Sequence, residues 1–135
     1  MLNIRVMYVA HTKDLSVGHL NIYHVTNKVN NANVFLSQSN FLHIFGVSET
    51  RLTSHVSDDM LGISKNSILR RDANATGPTG MAVYVHGTIR DFTSRRFDLE
   101  YLHVESVWLH INNGRGPLCL IVSSTEPFFQ FCLFC

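Results

Sequence analysis

The sequence predicts a mixed α/β fold: a sheet with both parallel and antiparallel strands, and few helices. Three observations carry this expectation. The apolar run Phe41-Leu42-His43-Ile44-Phe45-Gly46-Val47, closed by Ser48-Glu49-Thr50, has the length and polar boundaries of a buried strand. Between it and a second strand-like segment, residues 17–22, apolar residues recur at Val29, Ala32, Phe35 and Leu36, the spacing of one helical face. Farther on, Val107, Leu109 and Ile111 share one strand face and Ser106, Trp108 and His110 the other, and the run at 118–122 returns after a turn-rich break at 112–117.

Taken in order, residues 1–15 lack a clear period and are expected to form a loose leader. Residues 17–22 read as a strand. Thr26 is the candidate N-cap of the following helix. Asn30, Asn31 and Asn33 are poor helix formers, so packing rather than propensity must hold it. The strand ending at Ser48 completes a β-α-β unit, which predicts a parallel pair with a right-handed crossover. A polar connection through Arg51 and Asp58-Asp59 leads to a short strand at 67–71. The stretch 72–80 is dense in turn residues, 81–85 is a strand, and His86-Gly87 breaks it.

Phe128, Phe129, Phe131, Cys132, Phe134 and Cys135 crowd the final residues without a charge. Two readings stand for the segment 124–135: a strand that needs a covering layer, or a divergent tail from a shifted or intronic frame. The lack of alternation favours the tail.

Composition excludes several classes. With 135 residues the chain is long enough for one domain, and 45% hydrophobic against 16% charged residues suits a globular chain. A net charge of +1 gives no global reason for a polyanion partner. No apolar stretch reaches the roughly 18 residues needed to cross a bilayer, so no membrane partner is expected. The start of the chain, broken by Asn3 and Arg5, does not read as a signal peptide, and an intracellular location follows as the expectation. The sequon Asn74-Ala75-Thr76 is then expected to stay unmodified. Three cysteines receive no role, because a structural zinc site wants about four ligands and Cys132-x-x-Cys135 has no second pair. The eight histidines show no H-E-x-x-H spacing, and His43 and His110 are expected as packed or edge residues.

The candidate site consists of Asn21 and Glu49. Functional groups of open α/β sheets gather at the carboxyl ends of strands, and each residue stands at such an end. Glu49 there suits a metal ligand or general base; the bland alternative is a solvated turn carboxylate. Asn21 reads equally as a turn residue bonded to its own backbone. Arg70-Arg71 and Arg95-Arg96 could touch phosphates, but are expected as solvated surface pairs. Trp108 is expected to be packed in its strand.

Several blocks of this chain resemble one known domain. They are Gly18-His19-Leu20-Asn21, the helix opening Asn27-Lys28, Val47-Ser48-Glu49-Thr50-Arg51-Leu52, Arg70-Arg71-Asp72, Gly80-Met81-Ala82-Val83-Tyr84-Val85 and Glu105-Ser106-Val107-Trp108-Leu109. In that order and with those gaps they look like the endonuclease/exonuclease/phosphatase domain at the front of non-LTR retrotransposon reverse transcriptase polyproteins. The resemblance runs from about residue 17 to 122 and covers roughly the first half of such a domain. It implies a truncated half of a four-layer α/β sandwich of the DNase I-like type, spanning residues 16–123 here.

The resemblance also implies a magnesium-dependent phosphodiester hydrolase that nicks DNA in the nucleus or cytoplasm. Asn21 and Glu49 would be its metal ligands and its share of the catalytic residues. Where the family carries a Tyr-Arg-Pro-Pro-like block, this chain reads Ser123-Ser124-Thr125-Glu126-Pro127, and the later Asp-x-Asn and Asp-His blocks have no counterpart. Magnesium binding is therefore expected to be weak and the chain inactive alone. The alternative is a DNA- or protein-binding module that retains part of the nuclease surface. With its second sheet missing, the first sheet is expected to lie uncovered, at about 1.5–3 kcal/mol per exposed large side chain.

Overall fold

The computed structural model describes residues 7–12, 15–22, 25, 28–38, 42–74, 79–101, 104–112, 117–125 and 129–132. Strands β1 (Met7–Thr12), β2 (Leu15–Asn21), β3 (Ile44–Ser48), β4 (Asn66–Arg71) and β5 (Met81–His86) form one sheet in the order β1-β2-β3-β5-β4. Strands β6 (Thr93–Arg95), β7 (Ser106–Asn112), β8 (Pro117–Ser123) and β9 (Phe129–Cys132) form a second, wholly antiparallel sheet in chain order. Helix α1 (Val29–Gln38) joins β2 to β3, and a single turn, α2 (Gly87–Arg90), follows β5. The architecture is mixed α/β with two sheets and few helices.

The β2-α1-β3 unit makes a parallel pair, while the other pairings of the first sheet are antiparallel. Val29 and Ala32 of α1 are buried as their spacing predicts. The candidate N-cap Thr26 and the side chains of Phe35 and Leu36 lie outside the described residues.

Both faces of the first sheet are covered. On one face Leu20, Phe45, Val47, Ala82 and Tyr84 pack with Val29 and Ala32 of the helix and with Leu52, Leu61 and Ile63 of the connection. Tyr84 is buried there; its hydroxyl donates to the Leu61 carbonyl at 2.8 Å, and burial pushes its pKa up to about 12. On the other face Val17, Ile44, Met81, Val83 and Val85 meet Val107, Leu109, Ile111, Leu118, Leu120 and Val122 of the second sheet. This corrects the expectation of an uncovered inner face. The β7–β8 hairpin of the same chain folds across it, because alternation puts Val107, Leu109, Ile111, Leu118, Leu120 and Val122 on one side.

A further expectation is corrected. Residues 7–12, placed in a loose leader, form β1 and pair with β2 from Met7↔Leu20 to Thr12↔Leu15. Within the segment 124–135, residues 129–132 form β9, which pairs with β8 from Val122↔Phe129 to Cys119↔Cys132. An edge strand is held by its backbone ladder and needs no hydrophobic period of its own. Cys119, given no role, is buried and disulfide-bonded. Among the described residues, no helix is long and apolar enough to cross a membrane.

Candidate functional site

Strands β2 and β3 end side by side. Asn21 stands opposite Ser48 in the parallel register, and the Ile22 amide donates to the Ser48 carbonyl at 3.1 Å. Asn21 shares its strand face with Val17 and His19, the side turned toward the second sheet. Glu49 follows the end of β3 directly. The structure brings the two candidate residues together: the Asn21 amide Nδ2 donates to Glu49 Oε1 at 3.1 Å, with both residues half-buried.

The backbone at this point is held in an uncommon shape. Glu49 and Arg51 have φ of 56° and 57°, in the left-handed region that a residue with a Cβ enters at a cost of about 1–3 kcal/mol. Neighbouring bonds keep it there. The Thr50 amide donates to the Gly80 carbonyl at 3.2 Å and the Arg51 amide to the Thr79 carbonyl at 2.9 Å. On the other side the Val25 amide reaches the Thr50 carbonyl at 3.2 Å. Gly80, at φ 95°, lies so close that a Cβ there would stand 2.6 Å from Thr50 Oγ1. The Gly80 amide in turn donates to Glu105 Oε2 at 3.0 Å, across from the second sheet.

The donor set suits a hard divalent cation. Asn21 Oδ1 is buried without a hydrogen-bond partner among the described residues, beside the Glu49 carboxylate. A buried amide oxygen left unbonded costs about 1–3 kcal/mol, and an oxygen-seeking ion would satisfy it. Magnesium takes one or two carboxylates and keeps several waters, so Asn21 and Glu49 fit it. Among the described residues, no group of three or more His, Cys, Asp or Glu is placed to hold a metal. His19, two residues before Asn21 in β2, is fully buried, and burial lowers its pKa to about 4, so it stays neutral near pH 7.

The paired arginines depart from the solvated reading. Arg70 bonds Asp72 and Asp58 and the carbonyls of Thr53 and Val56, tying the 53–58 connection to β4. Arg71 donates to the Ser106 carbonyl at 3.0 Å and to the Tyr101 carbonyl. Arg95 forks onto Glu100 at 2.8 and 2.9 Å and reaches the Arg70 carbonyl. Only Arg96 of these four, paired with Asp98, matches a surface ion pair. Trp108, expected to be packed, is partly exposed and lines a cavity of about 310 Å³ on the outer face of the second sheet with Tyr101, Ile121 and Gln130.

Sequence reasoning missed Gly80 and Glu105. Both stand at the edges of recognisable blocks, but nothing in the linear pattern joins residues 25 positions apart. Comparison with family models, with curated proteins and with solved structures finds no match for the chain.

Proposed function

We propose that this chain carries the metal-holding part of an endonuclease/exonuclease/phosphatase-type domain, DNase I-like in fold and akin to the non-LTR retrotransposon version. Its ligand is magnesium, its parent substrate a DNA phosphodiester, and alone it does not turn over. The observation that carries the reading is the Asn21–Glu49 contact at 3.1 Å, built on the adjoining ends of two parallel strands, with Glu49 in a left-handed conformation. Backbone strain of this kind clusters at functional sites. The face-to-face packing of two sheets also supports it.

Each residue has a definable task. Asn21 Nδ2 fixes Glu49 Oε1, which leaves Glu49 Oε2 and Asn21 Oδ1 as the oxygens to present to the cation. The strained turn holds the carboxylate at the strand end. Magnesium bound by such ligands supplies charge neutralisation at a phosphate oxygen and stabilises the leaving oxygen. Activating the attacking water is worth about 10²–10⁴ in rate, and no third acidic or imidazole group joins the pair among the described residues. The binding-module alternative has less support, because Arg70, Arg71 and Arg95 spend their donors within the chain.

The test is incubation of supercoiled plasmid with magnesium and the purified chain. The expected result is no nicking above buffer, together with divalent-ion binding that Glu49→Gln removes. Magnesium-dependent nicking abolished by Glu49→Ala would overturn the claim of incompetence.

A further inference from the structure

We infer that Glu105 is a positioning residue for Glu49, acting across the two sheets through Gly80 and Thr50; its bearing on metal binding rests on the reading of Asn21 and Glu49 as ligands. The connection is continuous. Glu105 Oε2 accepts from the Gly80 amide at 3.0 Å, and the Gly80 carbonyl accepts from the Thr50 amide at 3.2 Å. Thr50 lies between Glu49 and Arg51, both held at positive φ. The 49–51 segment therefore keeps its shape only while residues 79–80 stay in place, and Glu105 fixes their position from the second sheet.

The carboxylate is itself presented from a rigid base. The Glu105 carbonyl accepts from the Ser124 amide at 3.2 Å, and the next carbonyl, that of Ser106, accepts from the Arg71 guanidinium at 3.0 Å. Arg71 ends β4 and pairs with Met81, the residue after Gly80, so Arg71 and Glu105 bind the two sheets together in opposite directions beside the site. Gly80 is buried, and its φ of 95° and close approach to Thr50 admit no side chain. A charge-assisted bond to a buried amide is roughly twice as strong as a neutral one, which suits a bond that must hold neighbouring residues in a strained conformation.

A merely structural bond would loosen the whole molecule when removed; a positioning bond loosens the turn that carries Glu49. Native-state hydrogen exchange on the full chain separates the two, with Mn²⁺ alone as the probe of the site. Glu105→Ala is expected to speed exchange of the Thr50 and Arg51 amides about tenfold or more relative to those of Val83 and Leu109. It should also weaken Mn²⁺ binding by about tenfold. Glu105→Gln, which keeps an acceptor oxygen, should restore most of the protection. Uniform loss of protection in both sheets, unchanged Thr50 and Arg51 exchange, or no rescue by Glu105→Gln would each overturn the inference. Mn²⁺ binding that Glu49→Gln leaves unchanged would instead overturn the ligand reading, while the exchange pattern still decides the role of Glu105.

Discussion

His19 and Gly46 stand directly opposite each other in the parallel β2–β3 register, and the His19 ring occupies the space over Gly46. A Cβ at position 46 would lie 3.1 Å from His19 Cδ2 and 2.7 Å from Val122 Cγ1 of the second sheet. The missing side chain lets an imidazole and a valine share one volume between the sheets, two residues below Asn21. Gly46→Ala should therefore overpack the inter-sheet core and cost about 1–3 kcal/mol, read as a lower denaturant midpoint. A variant as stable as the parent would show that the sheets pack otherwise.

Stability should fall in mild acid. Burial lowers the His19 pKa from 6.5 to about 4, and burial, followed by electrostatic interaction with the neighbouring His86, lowers that of His43. Both folded-state values lie below those of the unfolded chain. As pH drops, the unfolded chain takes up protons that the folded chain refuses. The full stability is present above about pH 6.5 and is lost progressively toward pH 4, with His19 alone contributing on the order of 3 kcal/mol. Denaturation midpoints at pH 7, 6 and 5 should decline in that order, and His19→Leu should flatten the decline. A midpoint constant from pH 7 to 5 would contradict the burial of these rings.

Arg95 and Glu100 form an ion pair with side chains only 11% and 8% exposed, and the guanidinium also lies 4.2 Å from the centre of the Phe97 ring. Removing one partner leaves a buried charge. Arg95→Met is expected to cost about 3–5 kcal/mol, and Arg95→Met with Glu100→Gln less than Arg95→Met alone. Equal losses in the single and double variants would mean that the pair is not coupled.

The parts of this fold legible in the sequence are those fixed by local period. Residues 17–48 announce a β-α-β unit because alternation and helical spacing each follow from which face is buried, and Val107, Leu109 and Ile111 are inward as their spacing requires. Strands β1 and β9 are not legible in this way, since an edge strand is defined by the strand it pairs with. The covering of the first sheet by the second depends on how β7 and β8 fold back, which no single window of sequence contains. The same holds for the arginines: Arg70, Arg71 and Arg95 look alike on paper, and only their distant carbonyl and carboxylate partners turn them inward. At the site, Asn21 and Glu49 stand out as strand-end residues. Glu105 does not, because its partner is the backbone amide of Gly80, just before β5 and 25 positions away.

Whether Asn21 and Glu49 together hold a divalent cation is read from paramagnetic broadening by Mn²⁺ in an NMR titration of the full chain. Broadening should centre on the Asn21 side-chain amide and the backbone amides of Ile22 and Thr50, be lost in Glu49→Gln and weaken about tenfold or more in Asn21→Ala. Broadening centred on the exposed Asp58–Asp59 pair, or unchanged by Glu49→Gln, would contradict a cation site at Asn21 and Glu49.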